Sequence, residues 1–135
     1  MLLPLLMSAA TDPGRPSKEG DPPPEWAMRT YVLGLIYRGP NPVTDPKESD
    51  ALFRAHLANN RRLADEGKLL LAGPFLDKTD LRGVWLFDVT TVEEAQVLCD
   101  SDPAIQAGTL RVELHPWYSA KGIGVRDEPA RRAAR

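Results

Sequence analysis

From residue 28 onward the chain alternates between short apolar runs and longer amphipathic stretches, and glycine, proline or a capping residue marks each change of period. Tyr31–Arg38 (YVLGLIYR) is β-rich and apolar on both faces, with Tyr31, Leu33 and Leu35 on one side and Val32 and Ile36 on the other. That pattern predicts a strand covered on both sides, ended by Gly39-Pro40-Asn41-Pro42. Asp45 then serves as a cap, Pro46 suits the first helical position, and Glu48 completes a capping box. With Gly67 as the stop, the frame predicts a helix over 46–66. Lys68–Phe75 (KLLLAGPF) reads as a second strand, with Pro74 tolerated only at an edge or a strand end. After a turn at Asp77–Asp80, Gly83–Val89 gives a third strand, again apolar on both faces. Thr91-Val92-Glu93-Glu94 opens a second helix that runs to about Cys99. Asp102-Pro103 through Gly108 forms a short helical turn. Thr109–Trp117 is the last strand, with Leu110, Val112 and Leu114 on one side and Thr109, Arg111, Glu113 and His115 on the other.

The order is βαββαβ, which predicts an α+β domain of ferredoxin-like topology: a four-stranded antiparallel sheet with two helices on one face. In that arrangement strands one and three are central and strand four is an edge, as their apolar patterns require. Two helices cover only one face of the sheet. The other face, with half of the apolar residues of strands one and three, needs a partner. A second copy packed sheet to sheet is the simplest, so a homodimer is expected.

Composition narrows the picture. The 135 residues make one domain, and 27% charged with 42% hydrophobic residues is ordinary for a globular chain. A net charge of −2 leaves no footprint for nucleic acid. No apolar run is long enough to span a membrane. Six of the thirteen prolines fall in the first 24 residues, and 11–27 is too poor in apolar surface to order itself. Residues 1–27 are therefore expected to be a disordered extension, 28–118 the folded domain, and 119–135 a solvated tail. The start, MLLPLLMSAA, fits two readings. One is a weak export signal, although no cation precedes Arg15 and Pro4 interrupts the apolar run. The other is an extension from a start codon set too far upstream, with folding from Met28. The single Cys99 excludes an intrachain disulfide and points to a reducing compartment, hence the cytoplasm, with export as the alternative.

The candidate chemistry lies on the first helix. With Leu52 at zero and about 100° per residue, Leu63 falls at about 20°, Phe53 at about 100°, Ala64 at about 120° and Leu57 at about 140°. His56 at about 40° and Asn60 at about 80° sit inside that apolar stripe. Buried polar groups cost unless paired. Either His56 is satisfied within the core, or two polar side chains one turn apart line a cavity. Ala95, Leu98, Cys99 and Asp102 follow one side of the second helix. Asp102 before Pro103 reads first as a cap for the short helix, and a capping carboxylate can also accept a hydrogen bond from an imidazole. Adjacent helices make a meeting of His56 with Asp102 feasible. In His115-Pro116-Trp117-Tyr118, the aromatic pair either walls a pocket or caps the core, and Trp85 reads as core or dimer interface. Two histidines and one cysteine give no zinc spacing, no glycine-rich phosphate loop precedes a helix, and neither metal nor cofactor is expected.

The run HLANNRRLADEGKLLLAGPF, the glycine-led third strand, EEAQVLCDSDPAIQAG and the closing VELHPW together resemble the YciI-like proteins of the dimeric α+β barrel superfamily, which is related to muconolactone isomerase. The resemblance covers roughly 31–122. It implies an active site that pairs a helix-one histidine, here His56, with the aspartate of a DP motif, here Asp102. It places Gly73-Pro74 beside the same cleft. One relative is a dehydrochlorinase acting on a chlorinated hydroxyhydroquinone. The implied activity is cofactor-free proton transfer, isomerisation or elimination, on a small aromatic or lactone-like molecule. In that picture His56 is the acid or base, Asp102 its orienter, and Asn60, Gly73, Pro74 and Trp117 contact the substrate. The rival is a dimeric module that binds a small ligand without turnover.

Overall fold

A computed structural model describes residues 27–124; the extension before them, with its signal-like start, and the chain beyond Gly124 lie outside the described residues. The elements follow as β1 (Met28–Arg38), α1 (Pro46–Asp65), β2 (Leu69–Pro74), β3 (Leu81–Phe87), α2 (Val92–Asp100), α3 (Pro103–Gln106) and β4 (Leu110–Ala120). The sheet order is β2-β3-β1-β4, antiparallel throughout. This is the expected ferredoxin-like α+β arrangement. The two prolines of the sheet, Pro74 and Pro116, both fall on its edge strands, where a missing N–H interrupts no central ladder.

β1 and β4 are longer than the sequence pattern implied. β1 begins at Met28 and pairs along its full length with β4, from Met28 opposite Ala120 to Arg38 opposite Leu110. β4 therefore continues into the stretch expected to be tail. Two further bonds hold that end: the Tyr31 hydroxyl donates to the Ala120 carbonyl at 2.9 Å, and Lys121 N–H donates to Ala27 at 2.7 Å.

α1 starts and stops where its punctuation says. Asp45 accepts from the Glu48 N–H at 3.1 Å with Pro46 behind it. At the other end Gly67 takes a left-handed φ of 73°. Its N–H donates to Ala64, and that of Lys68 donates to Leu63, a double closure that only glycine adopts without strain. α2 is capped by Thr91, which accepts from Glu94 at 3.2 Å.

All three helices lie on one face. The core between them and the sheet comprises Val32, Ile36, Trp85 and Phe87 from the strands, with Leu63, Ala95 and Cys99 from the helices. The register sends the alternate strand residues, including Leu33, Leu35, Val84 and Trp117, to the other face, where no described helix lies.

Cys99 is buried and unpaired. Burial, reinforced by the Asp100 and Asp102 charges, pushes its thiol up to about 12. The sign follows directly. Folded protein keeps the thiol protonated while the unfolded chain ionises from about pH 9, so stability is intact below pH 9 and falls as pH rises towards 12. At about 1.4 kcal/mol per unit the loss reaches about 4 kcal/mol. Urea midpoints measured from pH 8 to 11 should fall for the natural protein and fall less for Cys99→Ala.

Candidate active site

The helix-one pattern put His56 and Asn60 inside a buried stripe; the stripe is real but rotated. The side of α1 that meets the sheet carries Leu52, His56, Asn59 and Leu63, of which Asn59 and Leu63 are buried. Phe53 and Leu57 are about half exposed, at 59% and 48%, and with His56 and Asn60 they face a cleft. The cleft has a volume of about 580 Å³, within the size range of small-molecule sites. Its opposite wall is the end of the β2–β3 hairpin, with Gly73, Pro74 and Gly83, and Trp85 lies deeper between the two. Gly83 is required there: a Cβ would sit 2.7 Å from the Gly73 carbonyl oxygen.

Asp102 is fully buried and divides its two oxygens. Oδ1 caps α3, accepting from Ala104 N–H at 2.8 Å and Ile105 N–H at 3.3 Å. Oδ2 meets His56 Nδ1 at 2.8 Å and accepts from Asn59 Nδ2 at 3.3 Å. The capping role and the imidazole contact, which the sequence reading held to be compatible, are both present on one carboxylate.

The other ring nitrogen fixes the tautomer. Trp85 Nε1 has a hydrogen to give and no lone pair to accept with, so the oxygen of Asn60 must face it, at 3.0 Å. The Asn60 amide nitrogen then faces His56 Nε2 at 3.3 Å. Nε2 must therefore accept, and the proton resides on Nδ1, donated to Asp102. The imidazole neighbours the rings of Phe53 and Trp85, with centroids 6.5 and 5.7 Å away and interplanar angles of 24° and 30°. Its side chain keeps 13% exposure.

Behind Asp102 the network continues. Asn59 Oδ1 accepts from Arg62 Nη2 at 2.8 Å and from the Ser101 hydroxyl at 3.3 Å. Sequence reasoning missed Asn59. The signal was its place one turn before Leu63 on the same side as Leu52, which the choice of Phe53 and Leu57 as core residues hid.

The structure thus brings together His56, Asp102 and Asn60, with Gly73 and Pro74 across the cleft. It does not bring Trp117. The continuous β1–β4 register pairs Trp117 with Tyr31, their ring centroids 6.2 Å apart, on the sheet face away from the helices. Its expected contact with substrate is therefore corrected. Trp85 belongs to the core rather than to the outward face. Among the described residues, no group of three or more His, Cys, Asp or Glu side chains is placed to hold a metal ion, and no helix is long and apolar enough to cross a membrane.

Fold and site together define a ferredoxin-like α+β domain with a histidine–aspartate pair beside an apolar cleft. The chain belongs to the YCII-related domain family, whose profile matches residues 30–118. Among solved structures it is similar to 5-chloro-2-hydroxyhydroquinone dehydrochlorinase from Burkholderia phenoliruptrix AC1100, in complex with 2,5-dihydroxybenzoquinone. That similarity has 24% identity and a TM-score of 0.46, covering 63% of this chain and 92% of the other. A comparison with curated proteins gave no match.

Proposed function

We propose that this domain is an acid–base enzyme in which His56 moves a proton on a small, planar substrate, aromatic or lactone-like, with no cofactor taking part. One observation carries the reading: an imidazole at a cleft, its Nδ1–H on a buried carboxylate at 2.8 Å and its Nε2 lone pair held ready by an amide. In the forward step Nε2 takes a proton from a substrate carbon, displacing the Asn60 contact, while Nδ1–H stays on Asp102. The resulting imidazolium faces that carboxylate, which stabilises it. Return of the proton to a different carbon completes an isomerisation; departure of a leaving group with its electron pair completes an elimination. An imidazole is suited to both directions near neutral pH.

The test is a metabolite screen for turnover and thermal shift on the natural protein beside His56→Ala, with the His56 ring followed by NMR across pH. Turnover lost in the variant, with a ring that responds to pH and ligand, supports the enzyme. Ligand binding with no turnover, and a ring silent to both, supports the non-catalytic binding module instead.

We propose further that two copies pair through the sheet face opposite the helices, burying Leu33, Leu35, Val84 and Trp117 against their equivalents. Light scattering at micromolar concentration should give twice the chain mass; a monomer overturns the pairing.

A further inference from the structure

The cleft carries charge of one sign. Its lining residues include Arg38 and Arg82, and none of the described lining residues is an aspartate or glutamate. Arg82 forms no ion pair with any described residue. Arg38 reaches Asp80 only at 3.8 Å, and the two side chains are 61% and 85% exposed, a contact too long and too wet to neutralise it. Two arginines without a close carboxylate partner, lining a mostly apolar cavity, favour an anion there.

A specific irregularity sets Arg82 apart from the ladder. β1 and β3 pair regularly from Val32–Phe87 to Ile36–Gly83, and the register then slips so that Tyr37 faces Leu81. Arg82 is the extra residue of that bulge. In an unbroken ladder it would pair with Tyr37, an outward-facing position, and point away from the helices. Bulges re-aim side chains, and Arg82 is among the residues that line the cleft. Gly83, next in sequence, lets the hairpin wall lie close to the Gly73 backbone.

The size of the cleft bounds the ligand. At about 580 Å³, with Phe53, His56 and Trp85 among its lining residues, it suits a compact molecule with a flat ring to set against those side chains.

We infer that the substrate is a single-ring or similarly compact planar carboxylate, its carboxylate held by Arg82 with support from Arg38 and its reacting carbon turned towards His56. Arginine suits this role because its fork meets both oxygens of a carboxylate. The inference rests on the cleft being the functional site, but it does not require His56 to be a base.

Isothermal titration of the full chain with benzoate and benzamide as probes tests it. Benzoate is expected to bind at least tenfold more tightly than the uncharged, isosteric benzamide. Arg82→Gln should weaken benzoate about tenfold, Arg38→Gln a few-fold, and neither should alter benzamide. These affinities are read without turnover, so a failure of the proton-transfer reading leaves this result standing. Arg82→Lys, which keeps the charge, should fall between, and circular dichroism confirms that each variant is folded. Equal affinity for the two probes, benzoate binding unaffected by Arg82→Gln, or no benzoate binding to the natural protein would overturn the carboxylate anchor.

Discussion

Asp102→Ala should destabilise the domain by about 3–7 kcal/mol, the largest effect expected of any single polar substitution in it. Three losses add. The α3 cap disappears, at about 1 kcal/mol. The N–H groups of Asn59 and His56 Nδ1 lose their common acceptor in a site without solvent access, at about 1–3 kcal/mol each. Asn59 also anchors Arg62 and Ser101, so the damage reaches the outer side of α1. Against a total stability of about 5–15 kcal/mol, that is a large share. Asp102→Asn separates the parts, because its oxygen can still cap Ala104 while its NH₂ would face two donors. It should cost less than alanine yet still reverse the imidazole. Urea unfolding measures both. If alanine and asparagine both cost under about 1 kcal/mol, the carboxylate does not organise this region.

The elements were legible in the sequence because each is bounded by residues with one local meaning. Asp45-Pro46, Gly67 and Thr91 all cap where they stand, and the doubly apolar β1 and β3 are the central strands. The His56–Asp102 meeting was legible as a possibility of topology. What misled was the equation of apolar with buried. Phe53 and Leu57 drew the centre of the α1 stripe towards themselves, whereas they wall a cavity, and a cavity has no signature in hydropathy. Trp117 was misplaced for a simpler reason. The alternation that puts Val112 and Leu114 towards the helices puts Trp117 with Glu113 and His115 on the other face, so strand parity already contained the answer. Arg82 was beyond reach. Its register depends on one slipped pairing between β1 and β3, set by two strands distant in sequence.

His56→Ala should lower kcat/KM by about 10²–10⁴-fold on the substrate the screen identifies, the usual contribution of a held acid or base. Stability should change far less than in Asp102→Ala, since the α3 cap and the Asn59 contact both survive. A rate loss alone would not establish the pair, because removing a ring that lines the cleft also reshapes it. The combined variant decides. If Asp102 acts by holding the imidazole, Asp102→Asn can do no harm once the imidazole is gone, and His56→Ala/Asp102→Asn should be no slower than His56→Ala alone. Independent contributions would multiply instead, giving a double variant slower than either single by the product of their losses. Rates for the four proteins at equal folded concentration distinguish the two cases. A multiplicative result would mean that the carboxylate supports the fold and the histidine works, if at all, without it.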